Sequence, residues 1–227
     1  MIIETDENVF GCNADAIVNT VNCDGFMGKG LALEFALRYP ELESAYIEDC
    51  KQHRVITGKV NTYRVGGKTI INFPTKYHFK YPSQIVWIDQ GLDDFLNLYP
   101  SLGIRSVAFP LLGASNGGLD ADAVLALMKE KLSKAELDVY ICHSKRPDEL
   151  GRRMVEGFNS TPVEEIGRFV RLNADQRLSL ESGKGHIVFF HDIARLPKIG
   201  TTTYRALFAF FKSGRGEGSY VEQLKLF

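Results

Sequence analysis

Two apolar runs, each leading directly into a glycine-rich segment, constrain the fold of this chain more than any other feature. The first run covers residues 16–18 and precedes the glycine-rich segment 19–30, and the second covers residues 106–110 and precedes the segment 111–118. A helical pattern follows each segment. Buried strands that lead through glycine turns into helices are typical of an α/β sheet that binds a ligand at its strand ends.

The remaining pattern up to about residue 145 fits the same fold class. In residues 58–72, side chains alternate in the manner of a strand before the Gly66–Gly67 turn, and the chain then returns, which predicts a hairpin. Residues 137–142 predict the last strand. Amphipathic spacing predicts further helices, and Asp120 has the position of a helix N-cap. The predicted helices cover residues 31–38, 40–49, 83–98 and a segment that begins after Asp120.

The composition changes around Lys145, Arg146 and Pro147, which predicts a domain over residues 1–145 and an extension over 146–227. In the extension, helices are expected over 147–159, 162–171 and 203–212, a strand over 185–193, and a docked apolar end over 221–227. The extension is therefore expected to be α+β, with a role that spacing does not reveal.

Composition excludes several classes of protein. The 227 residues are 44% hydrophobic and 24% charged, with a mean hydropathy of -0.11, which is average for globular proteins and excludes a disordered chain, a collagen and a membrane protein. With a net charge of -1, a nucleic-acid partner must be held locally or recognised at one nucleotide. The first residues lack the basic-then-apolar order of a signal peptide, so we expect a cytoplasmic protein. The four cysteines show no CxxC pairing, so we expect separate, inert thiols, as is usual in a reducing compartment.

The two glycine-rich segments have the properties of phosphate-binding loops. Glycines allow close approach of a ligand to the backbone, and free N–H groups at a helix N-terminus attract anions. Two such loops on neighbouring strand ends could bind a diphosphate from both sides. Neither segment is a Walker A or GxGxxG motif, so the architecture differs from those nucleotide-binding folds.

A lysine follows the predicted hairpin in the segment Asn72–Phe79, where Pro74 fixes a turn. Lys76 is therefore presented at the edge of the sheet that carries the two loops. The amine could be a counter-ion or surface group, or it could be partly desolvated and act as a nucleophile or acid–base group. Phe79 and Trp87 could stack on a base, although both residue types more often fill a core.

The segments ADAIVNTVNCDGFMGKGLALEF, INFPTK and PLLGASNGGLD occur in the order and spacing of a known family. Over residues 1 to about 145, the chain resembles the macrodomain family, and most closely the branch of the DarG-type DNA ADP-ribosyl glycohydrolases and the terminal ADP-ribose glycohydrolase. The resemblance implies a three-layer α/β/α fold with a mixed central sheet that binds ADP-ribose across the strand ends.

The resemblance also implies roles for individual residues. Asn22 matches the residue that contacts the distal ribose, and Lys76 matches the lysine on which hydrolysis depends in this branch, so these two are the expected catalytic residues. Whether Lys76 forms a covalent adduct stays open. The expected substrate-binding residues are Asn8, Val9, Asn19, Gly25, Met27, Gly28, Lys29, Gly30, Thr75, Leu112, Gly113, Ala114, Ser115, Asn116, Gly117 and Gly118.

Two positions depart from the family pattern. Gly117 stands where the terminal ADP-ribose glycohydrolase has a catalytic Asp, which makes a DarG-like mechanism the better analogy. Asn8 stands where macrodomains usually hold the adenine amino group with an Asp. Its carbonyl can accept a hydrogen bond, but without the contribution of a full charge.

The resulting expectation is a DarG-like ADP-ribosyl hydrolase with antitoxin activity, acting on modified nucleic acid, with DNA bases as the first expected substrate. The alternatives are a non-catalytic ADP-ribose-binding module and a hydrolase of ADP-ribosylated acidic side chains or ADP-ribose esters. No metal or cofactor is expected, and ADP-ribose is the ligand. By analogy with DarG-type antitoxins, residues 146–227 could bind a DarT-like toxin, or could be a structural extension.

Overall fold

The computed structural model describes residues 1–214. The chain divides into two compact units, Met1–Arg146 and Pro147–Phe227. None of the helices in residues 1–214 combines the length and apolar character needed to cross a bilayer.

The first unit is built around one six-stranded sheet with the strand order β1-β6-β5-β2-β4-β3. β3 pairs antiparallel with β4, and the other neighbouring strands are parallel. The sheet is therefore mixed, as expected. The strands are β1 (Ile2–Thr5), β2 (Ala16–Val21), β3 (Asn61–Val65), β4 (Lys68–Pro74), β5 (Ser106–Pro110) and β6 (Asp138–Cys142).

Helices cover both faces of this sheet, because the strands bury apolar side chains in both directions. Ala16 and Val18 of β2 face a core formed with α3 and α4, whereas Ile17 and Val21 face a core formed with α1 and α2. The three-layer α/β/α prediction is thereby confirmed. The helices are α1 (Gly30–Arg38), α2 (Pro40–Lys51), α3 (Ile85–Leu98) and α4 (Ala121–Leu132).

The parallel pairing brings the ends of β2, β4 and β5 to one edge of the sheet. β2 pairs with β4 along its whole length, from Ala16 opposite Thr69 to Val21 opposite Pro74, and it pairs with β5 on its other side. The chain segments that follow these three strands therefore lie side by side. They are the two glycine-rich segments and the segment that contains Lys76.

Most of the local predictions in this unit are confirmed. The Gly66–Gly67 hairpin forms, and the Asp120 side chain accepts a hydrogen bond from the Ala123 N–H as the N-cap of α4. β1 was not predicted, because this four-residue strand at the edge of the sheet is only partly buried and has no turn signal before it. β3, the strand at the other edge, was predicted because the Gly66–Gly67 turn gives its hairpin a clear signal.

The thiols are less separate than the sequence suggested. Cys12 Sγ lies 3.3 Å from Cys142 Sγ. β1 pairs with β6 in parallel, Thr5 opposite Cys142, so the loop after β1 returns to the end of β6. This contact depends on strand pairing and has no signature in the spacing of the cysteines.

The described part of the second unit is helical, which corrects the expected α+β extension. The helices predicted over 147–159, 162–171 and 203–212 form, while the helix over 174–183 was not predicted; its N-terminus carries a capping box of Asn173 and Gln176. The predicted docking of residues 221–227 lies outside the described residues. The helices are α5 (Glu149–Ser160), α6 (Val163–Phe169), α7 (Ala174–Gly183) and α8 (Thr201–Lys212).

The strand predicted over residues 185–193 is wrong, and the burial pattern shows why. Ile187, Phe190 and Ile193 are buried while Val188 is exposed. That spacing of three fits a 3₁₀-helix, and the chain forms one over Phe190–Arg195. A strand would bury alternate residues and would need a partner strand, and residues 147–214 provide none.

Candidate functional site

Asn22 organises the first loop, residues 22–30, directly after β2. Its side-chain Nδ2 donates to the Phe26 carbonyl at 2.7 Å, and its Oδ1 accepts from the Asp24 N–H at 2.8 Å. The residue is only 7% exposed. An amide nitrogen carries two hydrogens, so the second N–H of Asn22 is the candidate for the ribose contact that the resemblance implies. The catalytic role of Asn22 stays a prediction.

The first loop ends at the N-terminus of α1. Lys29 is the N-cap and makes no side-chain capping bond within the described residues, and the first turn contains no acidic side chain. The backbone N–H groups of this turn and the positive end of the helix dipole therefore remain available to an anion. This local arrangement suits one phosphate of a diphosphate.

The two glycine-rich loops meet at Gly30. This residue has a φ of +57°, and a Cβ placed on it would lie 2.5 Å from Nδ2 of Asn116. Asn116 belongs to the second loop, residues 111–119, which follows β5. The positive φ favours a glycine here, and the proximity of Asn116 shows that the two loops converge as predicted.

The second loop has no space for a side chain at residue 117. A Cβ on Gly117 would lie 2.2 Å from the Gly113 carbonyl oxygen and 2.4 Å from Ser83 Oγ. The Gly117 carbonyl also accepts a hydrogen bond from the Ser83 N–H at 2.9 Å. The absence of an Asp at this position therefore has a physical cause, since the loop is folded too tightly to hold one.

Lys76 connects the segment after β4 with the second loop. Its Nζ donates a short hydrogen bond to the Asn116 carbonyl. The side chain is half-buried, and this desolvation lowers the pKa of the Lys76 ammonium from its ordinary value. A lysine in this setting releases its proton more readily than a surface lysine, as nucleophilic or acid–base chemistry requires.

The segment that carries Lys76, residues 75–81, is also tied to the first loop. The Cys23 N–H donates to the Tyr77 carbonyl at 3.2 Å, and the Phe79 N–H donates to Asp24 Oδ2 at 2.8 Å. The structure therefore brings Lys76, the Asn22 loop and the second loop together at one edge of the sheet. Among residues 1–214, no His, Cys, Asp and Glu side chains are grouped as metal ligands would be.

Several residues predicted to bind substrate are buried in the protein interior. Asn19 is 0% exposed, and its Nδ2 donates to Asn72 Oδ1 on the neighbouring strand at 2.9 Å. Val9, Met27 and Leu112 belong to the apolar cores on the two faces of the sheet. The side chains of these residues therefore contribute to the packing of the interior next to the loops. The exposed residues among those predicted are Lys29, Gly30, Ser115, Asn116 and Gly118.

Asn8 stabilises a turn with the atom that was expected to meet adenine. Its Oδ1 accepts hydrogen bonds from the Phe10 N–H at 3.0 Å and the Gly11 N–H at 2.9 Å. A contact from the adenine amino group would share this oxygen with the turn. The predicted role of Asn8 in binding therefore competes with a local structural role.

The sequence analysis missed two residues that shape the site. Tyr46 of α2 donates its hydroxyl proton to the Asn22 carbonyl, and Ser83, two residues before α3, packs against the second loop. Tyr46 lies on the apolar face of an amphipathic helix, where a phenol is indistinguishable from any other core residue. Ser83 adjoins Pro82 and carries no motif, so its contact with Gly117 could be found only from the structure.

Comparison with known proteins shows which family shares this fold and these loops. The Macro domain family profile matches residues 18–128. The DNA ADP-ribosyl glycohydrolase of Mycobacterium tuberculosis (strain ATCC 25618 / H37Rv) is 41% identical over 184 residues, which cover 78% of this chain and 50% of that protein. The chain thus spans about half the length of the curated relatives that it matches first.

Two solved structures are similar to the first unit. The macrodomain of Mycobacterium tuberculosis DarG has a TM-score of 0.61 and 41% identity, covering 63% of this chain and 97% of that one. Thermosipho africanus DarTG in complex with ADP-ribose has a TM-score of 0.60 and 30% identity, covering 64% of this chain and 42% of that one. On its fold, its motifs and these relatives, the chain belongs to the macrodomain family.

Proposed function

We propose that this protein is an ADP-ribosyl glycohydrolase that removes ADP-ribose from modified DNA bases. The observation that carries the proposal is the position of Lys76, a partly buried amine that donates to the Asn116 carbonyl of the second loop from a segment that is bound to the first loop. Relatives that are 41% and 38% identical to this chain are named DNA ADP-ribosyl glycohydrolases. The distal ribose would lie beside the amine, with the diphosphate in the loops.

The reaction adds the elements of water across the bond between the distal ribose and the base. The hydroxyl group goes to the ribose C1 carbon and the proton goes to the departing base. Lys76 can serve either by accepting a proton from the attacking water or by attacking C1 and being displaced by water afterwards. Both routes begin with the neutral amine, whose population increases because burial lowers the pKa of Lys76.

Binding of the substrate is supported by the glycine-rich loops and the N-terminus of α1. The first turn at Gly30 has no side-chain cap, and the second loop exposes Ser115, Asn116 and Gly118. In this arrangement Asn22 would orient the distal ribose through its remaining N–H. Affinity then comes mainly from the diphosphate, and turnover mainly from Lys76.

The test separates binding from turnover. We expect Lys76→Ala to bind free ADP-ribose within about threefold of the wild-type affinity, and to lose at least about a hundredfold in release of ADP-ribose from a singly modified DNA oligonucleotide. Calorimetry measures the affinity for ADP-ribose, and the release of labelled ADP-ribose from the oligonucleotide measures turnover. Lys134→Ala is the matched control, because Lys134 is an exposed lysine between α4 and β6, before the start of a strand, whereas the loops follow strand ends.

Three outcomes would contradict this proposal. Unchanged turnover of Lys76→Ala would remove the lysine from the mechanism. Micromolar binding of ADP-ribose by a wild-type protein that releases no label would identify a binding module instead. Release from glutamate-modified protein or from ADP-ribose esters, but not from DNA, would identify a different hydrolase.

The same proposal gives the protein a partner and a cellular setting. If it removes ADP-ribose from DNA, it counteracts a DNA ADP-ribosyl transferase, the activity named together with the glycohydrolase in a fusion protein of Thermosipho africanus. We propose the cytoplasm as its location on the same basis. Co-expression of such a transferase with the wild type and with Lys76→Ala tests this role, and only the wild type is expected to restore growth.

A further inference from the structure

Two cysteines from opposite ends of the sequence of the first unit, Cys12 and Cys142, lie in contact. Their Sγ atoms are 3.3 Å apart, although 130 positions separate the two residues in the chain. Both are free thiols in the structure. A disulfide bond has an S–S length of about 2.05 Å, so an approach of little more than about 1 Å brings the two sulfurs to bonding distance. We call these two residues the cysteine pair.

The contact is held by secondary structure on both sides. Cys142 is the last residue of β6, which pairs in parallel with β1 on one side and with β5 on the other. Cys12 lies in the loop of residues 6–15 between β1 and β2. In this loop Val9 and Ala14 are buried in the core, so the chain is anchored before and after the cysteine. The fold itself therefore brings the two thiols together.

The two thiols differ in exposure and in acidity. Cys12 is partly exposed, whereas Cys142 is 2% exposed. The hydrogen bond from the Cys142 thiol lowers the pKa of Cys12 from its ordinary value, against the opposing effects of burial and of the Glu7 carboxylate. The same hydrogen bond, together with burial, raises the pKa of Cys142, which therefore keeps its proton. Cys12 is thus the thiol that forms the nucleophilic thiolate and that solvent reaches.

The other two cysteines of the chain lack this activation. Burial raises the pKa of Cys23 to about 11 and also raises the pKa of Cys50. Thiols with a raised pKa react slowly with oxidants, because the protonated thiol is a weak nucleophile. Cys23 and Cys50 are therefore internal references for the reactivity of the cysteine pair.

We propose that the cysteine pair is an oxidation site for hydroperoxides, in which Cys12 reacts with the peroxide and Cys142 closes a disulfide bond. The Cys12 thiolate attacks one oxygen of hydrogen peroxide, the O–O bond breaks, and the leaving hydroxide takes up a proton to become water. Cys12 then carries a sulfenic acid. The Cys142 sulfur attacks the Cys12 sulfur, the S–O bond breaks, and the hydroxyl leaves as water with the Cys142 proton. In total, two thiols lose two electrons and two protons, and one hydrogen peroxide becomes two molecules of water.

The disulfide bond would tie the loop of residues 6–15 to the end of β6. Because the bonded residues are 130 positions apart, the bond restricts the unfolded chain strongly, and we expect the oxidised protein to have a higher Tm. A thiol reductant reverses the bond, as is usual for disulfides of a reducing compartment. The inference does not depend on the proposed function, because it concerns the oxidation state of two thiols and not the ADP-ribose ligand.

The test follows each cysteine of the full chain after treatment with hydrogen peroxide. Remaining thiols are blocked with an alkylating reagent, and the digested protein is analysed by mass spectrometry before and after reduction with dithiothreitol. We expect one pair of peptides joined through Cys12 and Cys142, which separates on reduction, while Cys23 and Cys50 are alkylated. The Tm of the oxidised wild type is expected to rise by about 5 °C or more and to return on reduction.

Matched variants separate the roles of the two thiols. Cys142→Ser keeps a hydrogen-bond donor beside Cys12 but provides no thiol, so the sulfenic acid on Cys12 is expected to persist and to be captured by dimedone, a reagent for sulfenic acids. In Cys12→Ser, labelling of Cys142 by dimedone is expected to be at least about tenfold weaker, because that thiol is buried and protonated. Cys23→Ala is the control and is expected to form the same disulfide bond as the wild type.

Several outcomes would overturn the inference. One is a wild type in which all four cysteines are still alkylated after peroxide treatment, and another is a disulfide bond that involves Cys23 or Cys50 or joins two chains. Equal dimedone labelling of Cys12 in Cys142→Ser and of Cys142 in Cys12→Ser would contradict the assigned roles. A disulfide bond that forms without raising the Tm would show that it strains the fold, and would also overturn the assignment. The glycohydrolase activity is measured on the reduced protein, so none of these outcomes decides the proposed function.

Discussion

The hydroxyl of Tyr46 donates a hydrogen bond to the backbone carbonyl of Asn22 at 2.7 Å and lies 3.1 Å from the Asn22 side-chain oxygen. Tyr46 is fully buried on α2. Its burial raises the pKa of the phenol, so the hydroxyl remains a donor throughout the physiological range. The second helix therefore fixes the loop that begins the ADP-ribose site, although its own sequence carries no ligand motif.

Replacing this phenol tests how strongly the loop depends on it. We expect Tyr46→Phe to keep the packing of the ring but to leave the buried Asn22 carbonyl without its donor, at a cost of about 1–3 kcal/mol in the free energy of unfolding. The affinity for ADP-ribose should fall as well, because the loop loses its anchor. Denaturant unfolding and calorimetry measure the two effects. Tyr140→Phe, at a tyrosine of β6, is the control. A loss of unfolding free energy in Tyr46→Phe no greater than in Tyr140→Phe would contradict the role assigned to Tyr46.

The lowered pKa of Lys76 predicts the pH dependence of turnover. Burial disfavours the ammonium form, so the neutral amine becomes available at a lower pH than the ordinary lysine value of about 10.4. If the neutral amine reacts, kcat/KM rises with pH and levels off below that value. A pH–rate profile from about pH 6 to about pH 10 measures the midpoint, and Lys76→Arg should abolish the rise. A profile that shows no rise over this range would exclude the neutral amine.

The tight fold of the second loop predicts that a catalytic Asp cannot be restored by substitution. In Gly117→Asp and in Gly117→Ala, the new Cβ meets the Gly113 carbonyl and Ser83 Oγ. We expect both variants to lose stability by about 1–3 kcal/mol through overpacking and to bind ADP-ribose more weakly. Gly200→Ala is the control, since no atom lies within 4 Å of a Cβ at that position. Higher turnover by Gly117→Asp than by the wild type would show that the loop adapts.

The parts of the site that the sequence revealed are those with a local signal. Strands β2 and β5 were recognisable because an apolar run ends directly at glycines, and Lys76 because Pro74 marks the end of a strand. These features identified the edge of the sheet and the loops that meet there. The resemblance to macrodomains added the ligand and the expected roles of Asn22 and Lys76, which spacing alone left open.

The parts that the sequence did not reveal depend on partners distant in the chain. The bond from Tyr46 to Asn22, the contact of Ser83 with Gly117 and the burial of Asn19 against Asn72 all result from packing between elements. The segment 185–193 was misassigned for a related reason. Its apolar content suits a strand, but no partner strand exists in the described second unit, and its burial has a period of three.

Asn19 and Asn72 form a buried amide pair that tests the difference between a structural and a ligand-binding residue. They lie opposite each other on β2 and β4, both 0% exposed, and share a 2.9 Å hydrogen bond. We expect Asn19→Ala and Asn72→Ala each to cost about 1–3 kcal/mol in unfolding free energy, because the remaining amide loses its partner. The double variant should cost less than the sum, since both halves of one interaction are removed. Affinity for ADP-ribose should stay within about twofold in Asn19→Ala if the residue only supports the sheet. A large loss of affinity with little loss of stability would instead establish Asn19 as the ligand contact that the sequence predicts.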